Sequence, residues 1–199
     1  MCGGDVGTID GNCRRECGMK VVFLDRDGVI NCKLDHDYVK CWDEFEFLPQ
    51  SLEAISLLTR AEFQVIVVTN QACVNKGIIS HVQLAEIHRR MMEEIEQAEG
   101  RIYDIYYSPH RPEENSEYRK PKPGMLLQAI TEHNIDISQS YLIGDSLTDI
   151  LAGKSVGCRS YLIWSGSGCE SPLNADADSQ PNRVFKNLYQ AALFILSSH

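Results

Sequence analysis

The sequence predicts an α/β fold with a mainly parallel sheet covered by helices on both faces, and three observations lead there. Wholly apolar runs of strand length recur, among them Val21-Val22-Phe23-Leu24 and Val65-Ile66-Val67-Val68. Runs without polar alternation suit strands buried on both faces, as in parallel sheets. Segments with apolar residues at helical spacing separate these runs, so that strand and helix alternate. Several strands also end in polar clusters, which an ordinary turn does not require.

Each element follows from local text. Residues 1–18 mix glycine and charge with almost no apolar periodicity and read as a poorly ordered extension, leaving one domain over 19–199. A first strand spans 20–24. Residues 29–48 are irregular, with Tyr38, Trp42, Phe45 and Phe47 among acids. Such a segment either covers a site or packs its aromatics on the domain. Pro49 and Ser51 open a helix carrying Leu52, Ile55 and Leu58, and a strand follows at 64–68. Ser80 with Gln83 forms a capping box for a long helix whose stripe, Leu84, Ile87, Met91 and Ile95, is core. A strand at 102–107 leads through Pro109-His110-Arg111-Pro112 into a polar loop that closes in Arg119-Lys120-Pro121-Lys122-Pro123-Gly124. The rest reads as a helix at 125–133, a strand at 140–143, a helix around Ile150 and Leu151, and a strand at 159–164. A loop at 166–181, a short strand at Val184-Phe185 and a helix at 188–196 complete the chain.

Composition narrows the function. A chain of 199 residues with 43% hydrophobic content suffices for one well-buried domain. The formal net charge of −9, with no basic run to offset it, argues against general binding to nucleic acid or to a membrane surface. An anionic substrate would then need a local positive patch or a divalent cation. No apolar run approaches membrane-spanning length, and Met1-Cys2-Gly3-Gly4-Asp5 lacks a basic start or an apolar stretch, so a cytoplasmic protein is expected. The cysteines Cys2, Cys13, Cys17, Cys32, Cys41, Cys73, Cys158 and Cys169 are scattered, and without export no disulfide framework is expected. Cys2, Cys13 and Cys17 could hold a metal but read better as free thiols.

Four clusters carry the chemistry: Asp25/Asp27, Thr69/Asn70, Arg119/Lys120 and Asp145/Asp149. Ligands of open α/β sheets bind beyond the carboxyl ends of the strands, so these clusters should converge. Aspartate is a competent nucleophile toward phosphorus. Grouped carboxylates suit Mg²⁺, which takes oxygen ligands and substrate phosphate. Thr69 and Lys120 can hold the non-bridging oxygens. A carboxylate two residues after the nucleophile can protonate the leaving oxygen and then activate water. Gly28 lets the backbone turn close to a ligand. No G-x-x-x-x-G-K-[ST], dinucleotide fingerprint or G-x-S-x-G elbow occurs, which disfavours nucleotide-cofactor and serine-hydrolase chemistry.

The runs Asp25-Arg26-Asp27-Gly28-Val29-Ile30-Asn31, Val68-Thr69-Asn70-Gln71, Arg119-Lys120-Pro121-Lys122-Pro123-Gly124-Met125 and Gly144-Asp145-Ser146-Leu147-Thr148-Asp149 resemble the four motifs of the haloacid dehalogenase-like phosphatases. The flanking text is most similar to the branch of the D,D-heptose 1,7-bisphosphate and histidinol-phosphate phosphatases. The resemblance spans about 20–196 and implies a Rossmann-like sheet without a large cap domain. It implies Asp25 as nucleophile, Asp27 as general acid/base, Thr69 and Lys120 on the phosphoryl group, and Arg119, Asn70, Gln71 and Lys76 toward the substrate. Mg²⁺ would sit on Asp25, the Asp27 carbonyl and Asp145, with Asp149 orienting that site from behind. The text around Tyr38, Phe45, Phe47, Tyr106 and Tyr107 favours a sugar phosphate, heptose 1,7-bisphosphate losing its 7-phosphate, over histidinol phosphate or another small ester. A non-catalytic binding domain is a remote alternative, disfavoured because Asp25 and Asp27 are both present. A small phosphorylated metabolite is the expected partner, and a monomer the expected state. The branch's zinc loop reads Ser108, His110, Ser116 and Tyr118 here, poor ligands apart from the histidine, so no zinc is expected. Lys76 in Asn75-Lys76-Gly77 replaces an arginine that is frequent in the branch, keeping charge without the planar fork.

Overall fold

The computed structural model describes residues 18–34, 37–164 and 176–198. Its elements alternate from β1 (Val21–Leu24) through α1 (Ser51–Arg60), β2 (Gln64–Asn70), α2 (His81–Gln97), β3 (Ile102–Ser108) and α3 (Gly124–His133). They continue with β4 (Tyr141–Gly144), α4 (Leu147–Ser155), β5 (Arg159–Ile163), β6 (Arg183–Phe185) and α5 (Leu188–Ser197). The six strands form one sheet in the order β3-β2-β1-β4-β5-β6, and every neighbouring pair is parallel. The chain winds outward from β1 to β3, then crosses to the other side of β1 and winds outward again. That reversal leaves a crevice between the carboxyl ends of β1 and β4, where doubly wound sheets bind ligands.

The side-chain period of two divides the core. Val22, Leu24, Val65, Val67 and Ile143 face α1, α2 and α5, while Val21, Phe23, Ile66, Val68 and Leu142 face α3 and α4. Strands covered on both faces need no polar alternation, and the whole of β1 is buried. The α2 stripe is core, and Ser80 caps the helix by accepting from the Gln83 backbone while the Gln83 side chain accepts from Ser80 N.

One boundary differs from expectation in a way that matters to the site. Strand β2 runs on to Asn70, because its polar end still pairs with Tyr107 and Ser108 of β3, so Thr69 projects from regular strand. The segment 29–48 does two jobs. Trp42 stacks on Phe45 with centroids 5.0 Å apart, Phe47 meets Phe45 edge-on at 5.1 Å, and this cluster packs on the core. Lys33, Leu34, Tyr38 and Val39 instead line the crevice. Among the described residues no insertion of domain size interrupts the sheet, and no helix is long and apolar enough to cross a membrane. Cys2, Cys13, Cys17 and Cys169, residues 1–17 and residues 165–175 of the late loop lie outside the described residues.

Candidate active site

The crevice is a cleft of about 240 Å³ lined by residues from all four clusters, including Asp25, Asp27, Thr69, Asn70, Arg119, Lys120 and Asp145. It is smaller than the roughly 300–1,000 Å³ pockets that enclose a drug-sized ligand, which suits a small ester whose far end stays in solvent.

Asp25 leaves the end of β1, where its backbone N–H still bonds to Ile143 O. Its Oδ1 accepts from Arg26 N at 2.8 Å and faces Lys120 Nζ at 3.0 Å. Lys120 enters from the loop before α3 and is 3% exposed, so its charge needs partners. Its ammonium donates to Val68 O at 2.6 Å and forms ion pairs with Asp149 Oδ1 at 2.5 Å and with Asp25. Burial pulls the lysine pKa down, but Asp149 and Asp25 outweigh it and hold the ammonium well above its ordinary range. Asn70 anchors the loop that carries Lys120, its amide pairing with both the N–H and the carbonyl of Lys120 at 3.1 Å.

Asp145 and Asp149 stand after β4 and in the first turn of α4. Asp149 Oδ2 accepts from Ser146 N and completes a capping box with the Ser146 side chain. Single oxygens of Asp25, Asp145 and Asp149 all lie within 4.8 Å of one another. Burial, only partly offset by Lys120, pushes the Asp25 carboxyl up to about 7, with Asp149, Asp145 and Asp27 adding repulsion. Asp145 is also raised, by burial and then by Asp149, against the pull of Lys33, whose Nζ reaches Asp145 Oδ2 at 2.6 Å. Three convergent carboxylates that draw in a half-exposed lysine are a hard oxygen donor set in need of a cation, and Mg²⁺ fits it. Gly28 protects that space. Its φ is +87°, and a Cβ there would lie 2.5 Å from Asp145 Oδ2.

Asp27 is held differently. Burial alone would raise its carboxyl, but the Arg26 guanidinium and the amides of Asn31 and Gln71 outweigh burial and keep it below the usual range. Arg26, fully buried, grips it bidentately, with Nη2 2.9 and 3.0 Å from the two oxygens and Nε 3.2 Å from Oδ1. Behind it, His88 Nε2 lies 3.2 Å from Arg26 Nη1. Burial and then the Arg26 charge push His88 down to about 3, so the neutral imidazole accepts. No spacing rule singled out Arg26. The available signal was an arginine between two acids directly after an apolar strand.

The remaining expected residues divide. Thr69 is buried at the end of β2, its Oγ1 accepting from Gln71 Nε2 at 3.0 Å. Gln71 is itself fully buried, spans Thr69 and Asp27 Oδ2, and is absent from the cleft lining, so it meets the other site groups rather than a ligand. Lys76 is exposed outside the lining, its Nζ 2.9 Å from Tyr38 Oη at the rim. Of the aromatics in the heptose-like text only Tyr38 lines the cleft. Tyr106 lies on the far side against α3, where its hydroxyl donates to Glu132, and Tyr107 packs against His88. Lys33, Asp37, Ser146 and Thr148, not foreseen from sequence, also line the cleft.

In the loop 108–118, Ser108 Oγ pairs with His110 Nδ1 at 3.2 Å and Ser116 Oγ accepts from Tyr118 N. Arg119 Nη1 ties the loop down through His110 O at 2.9 Å, Lys122 Nζ through Asn115 O, and Asn75 through Glu114. Both clusters of metal-ligating side chains among the described residues lie elsewhere. One histidine with two hydroxyls and a phenol does not fit the tetrahedral N/S set of structural zinc.

The four polar clusters reach the crevice from beyond the ends of β1, β2, β3 and β4 in turn. A HAD-hydrolase-like family model matches residues 117–191. The D-glycero-β-D-manno-heptose-1,7-bisphosphate 7-phosphatase of Pasteurella multocida is 38% identical over 176 residues, covering 85% of this chain and 92% of that one. Its Pseudomonas aeruginosa counterpart is 39% identical over 148 residues, 74% and 83% of the two chains. A crystal structure of D,D-heptose 1,7-bisphosphate phosphatase from B. bronchiseptica, complexed with magnesium and phosphate, superposes with a TM-score of 0.80 at 32% identity, covering 91% of this chain and all of that one. The chain belongs to this heptose-bisphosphate phosphatase family of the haloacid dehalogenase-like hydrolases, and it is a phosphatase.

Proposed function

We propose that the protein removes the 7-phosphate of D-glycero-D-manno-heptose 1,7-bisphosphate through an aspartyl-phosphate on Asp25, with Mg²⁺ as its metal. The observation that carries the chemistry is the carboxylate trio around Lys120 at the switch point, and the family supplies the substrate. Mg²⁺, held by Asp25, Asp145 and the Asp27 carbonyl, would neutralise charge between the anionic nucleophile and the anionic phosphoryl group. Arg26 N and Lys120 both address Asp25 Oδ1, leaving the second oxygen to attack phosphorus. As that O–P bond forms, the P–O bond to the sugar breaks and Asp27 protonates the departing oxygen. Asp27 rests ionised, and the approaching phosphoryl dianion supplies the repulsion that favours its protonation. Water then attacks phosphorus, Asp27 takes its proton, and Asp25 is released with inorganic phosphate. Lys120 and Thr69 hold the non-bridging oxygens in both steps.

The test measures phosphate release from heptose 1,7-bisphosphate, histidinol phosphate and a panel of sugar phosphates, with and without Mg²⁺. We expect the heptose bisphosphate to give the highest kcat/KM and chelator to abolish it. A clear preference for another ester would sink the substrate assignment, and equal turnover in excess chelator would sink the metal. We also propose that no zinc is carried, because hydrogen bonds from Arg119, Lys122 and Asn75 already hold the loop. Metal analysis of protein prepared without chelators is expected to find zinc well below one equivalent, and a stoichiometric amount would refute this. A cytoplasmic monomer completes the proposal.

A further inference from the structure

We infer that Arg26, braced by His88, is the positioning residue for proton transfer by Asp27, so that α2 supports the leaving-group chemistry from behind the sheet. This rests on the reading of Asp27 as general acid/base. An acid that must meet the leaving oxygen at one moment gains from being held in one rotamer, and the surroundings of Asp27 do that. Its Oδ1 accepts from Arg26 Nε, Arg26 Nη2 and Asn31 Nδ2, and its Oδ2 from Arg26 Nη2 and Gln71 Nε2. Only Arg26 reaches both oxygens, and a planar fork sets orientation as well as distance.

The fork is itself fixed. The Arg26 carbonyl accepts from the backbone N–H groups of Val29, Ile30 and Asn31, which locks the turn from which the side chain departs. At the far end Nη1 donates to His88 Nε2, and Phe45 lies beneath the guanidinium carbon at 6.0 Å. His88 is 6% exposed and its ring packs edge-on against Tyr107 at 5.9 Å, so the brace has little freedom. Neither Arg26 nor His88 lines the cleft, so both act through Asp27 and touch no substrate.

The experiment compares phenyl phosphate with p-nitrophenyl phosphate, esters of similar shape whose leaving oxygens differ in their need for a proton. Asp27→Asn is the reference and should lose at least about tenfold more kcat on phenyl phosphate than on the nitrophenyl ester. Arg26→Met and His88→Ala should show the same bias to a smaller degree, with KM for both esters little changed. His88→Gln, whose amide oxygen can accept from Nη1, should recover most of the loss. Equal losses on both esters in Arg26→Met and His88→Ala, beside a biased Asp27→Asn, would overturn the positioning role and leave the acid assignment standing. An unbiased Asp27→Asn would overturn both. If Arg26→Met does not fold, His88→Ala and His88→Gln decide the question alone.

Discussion

Asp25→Asn is expected to eliminate phosphate release, by at least about 10⁴-fold in kcat, while the protein stays folded and, without metal, becomes more heat-stable. Both halves come from the same crowding. The amide cannot form the phosphoenzyme, yet it removes one of three carboxylates packed within 4.8 Å. The sign of the pH dependence follows from burial and repulsion raising Asp25 from 3.8 to about 7. Its favourable contribution is fully present below the unfolded value and is lost as pH rises through the folded one. The midpoint of metal-free wild type should therefore fall relative to Asp25→Asn as pH climbs from about 4 to about 7, and level off above that. Magnesium should close the gap by supplying the missing counter-charge. Thermal unfolding of both proteins across pH, with and without Mg²⁺, checks this. Retained turnover would rule out Asp25 as nucleophile, and a gap that narrows with pH would contradict the electrostatic account.

Lys120→Met carries the second large effect, on stability as much as on rate. The ammonium, itself buried, is the shared partner of Asp25 and Asp149. Removing one side of a buried ion pair typically costs about 3–5 kcal/mol, because the remaining charge stays buried. For a domain of this length that corresponds to a fall in unfolding midpoint on the order of 10 °C. Turnover should drop by about 10²-fold or more through loss of a fixed positive charge on the phosphoryl oxygens. Adding Asp149→Asn separates the two effects, since it removes the stranded charge without restoring the cation. The double variant should regain much of the midpoint and none of the rate. If it regained rate as well, Lys120 would be a structural counter-ion only.

The text of the chain made a good deal of this legible. Apolar runs without alternation marked β1, β2 and β4 because buried parallel strands leave no face for polar residues. The clusters at their ends marked the crevice because only a shared ligand rationalises several acids and a lysine at one rim. Arg26 escaped notice because an arginine after a strand is ordinarily solvated, and nothing local says that this one turns inward to His88 on α2. Gln71 pointed toward a substrate on motif grounds. The structure shows it buried between Thr69 and Asp27, since a residue one step past a strand end faces inward or outward according to how the chain turns there.

The sequence alone determined which groups are available: an aspartate at a strand end with a second acid two residues on, a threonine, a lysine and an acidic pair, in four clusters that each follow a strand. Those properties belong to residue type and short spacing, which local text carries in full. Tertiary structure decided which of these groups touch. Strand order places Asp25 beside Asp145, and the depth at which the loop before α3 enters brings Lys120 between Asp25 and Asp149. It also decided that Asp27 sits in a fork of donors while Asp25 sits among repelling carboxylates, so two aspartates two residues apart hold their protons in opposite ways. Burial and field depend on elements far apart in the chain, and no reading of neighbours along the sequence contains them.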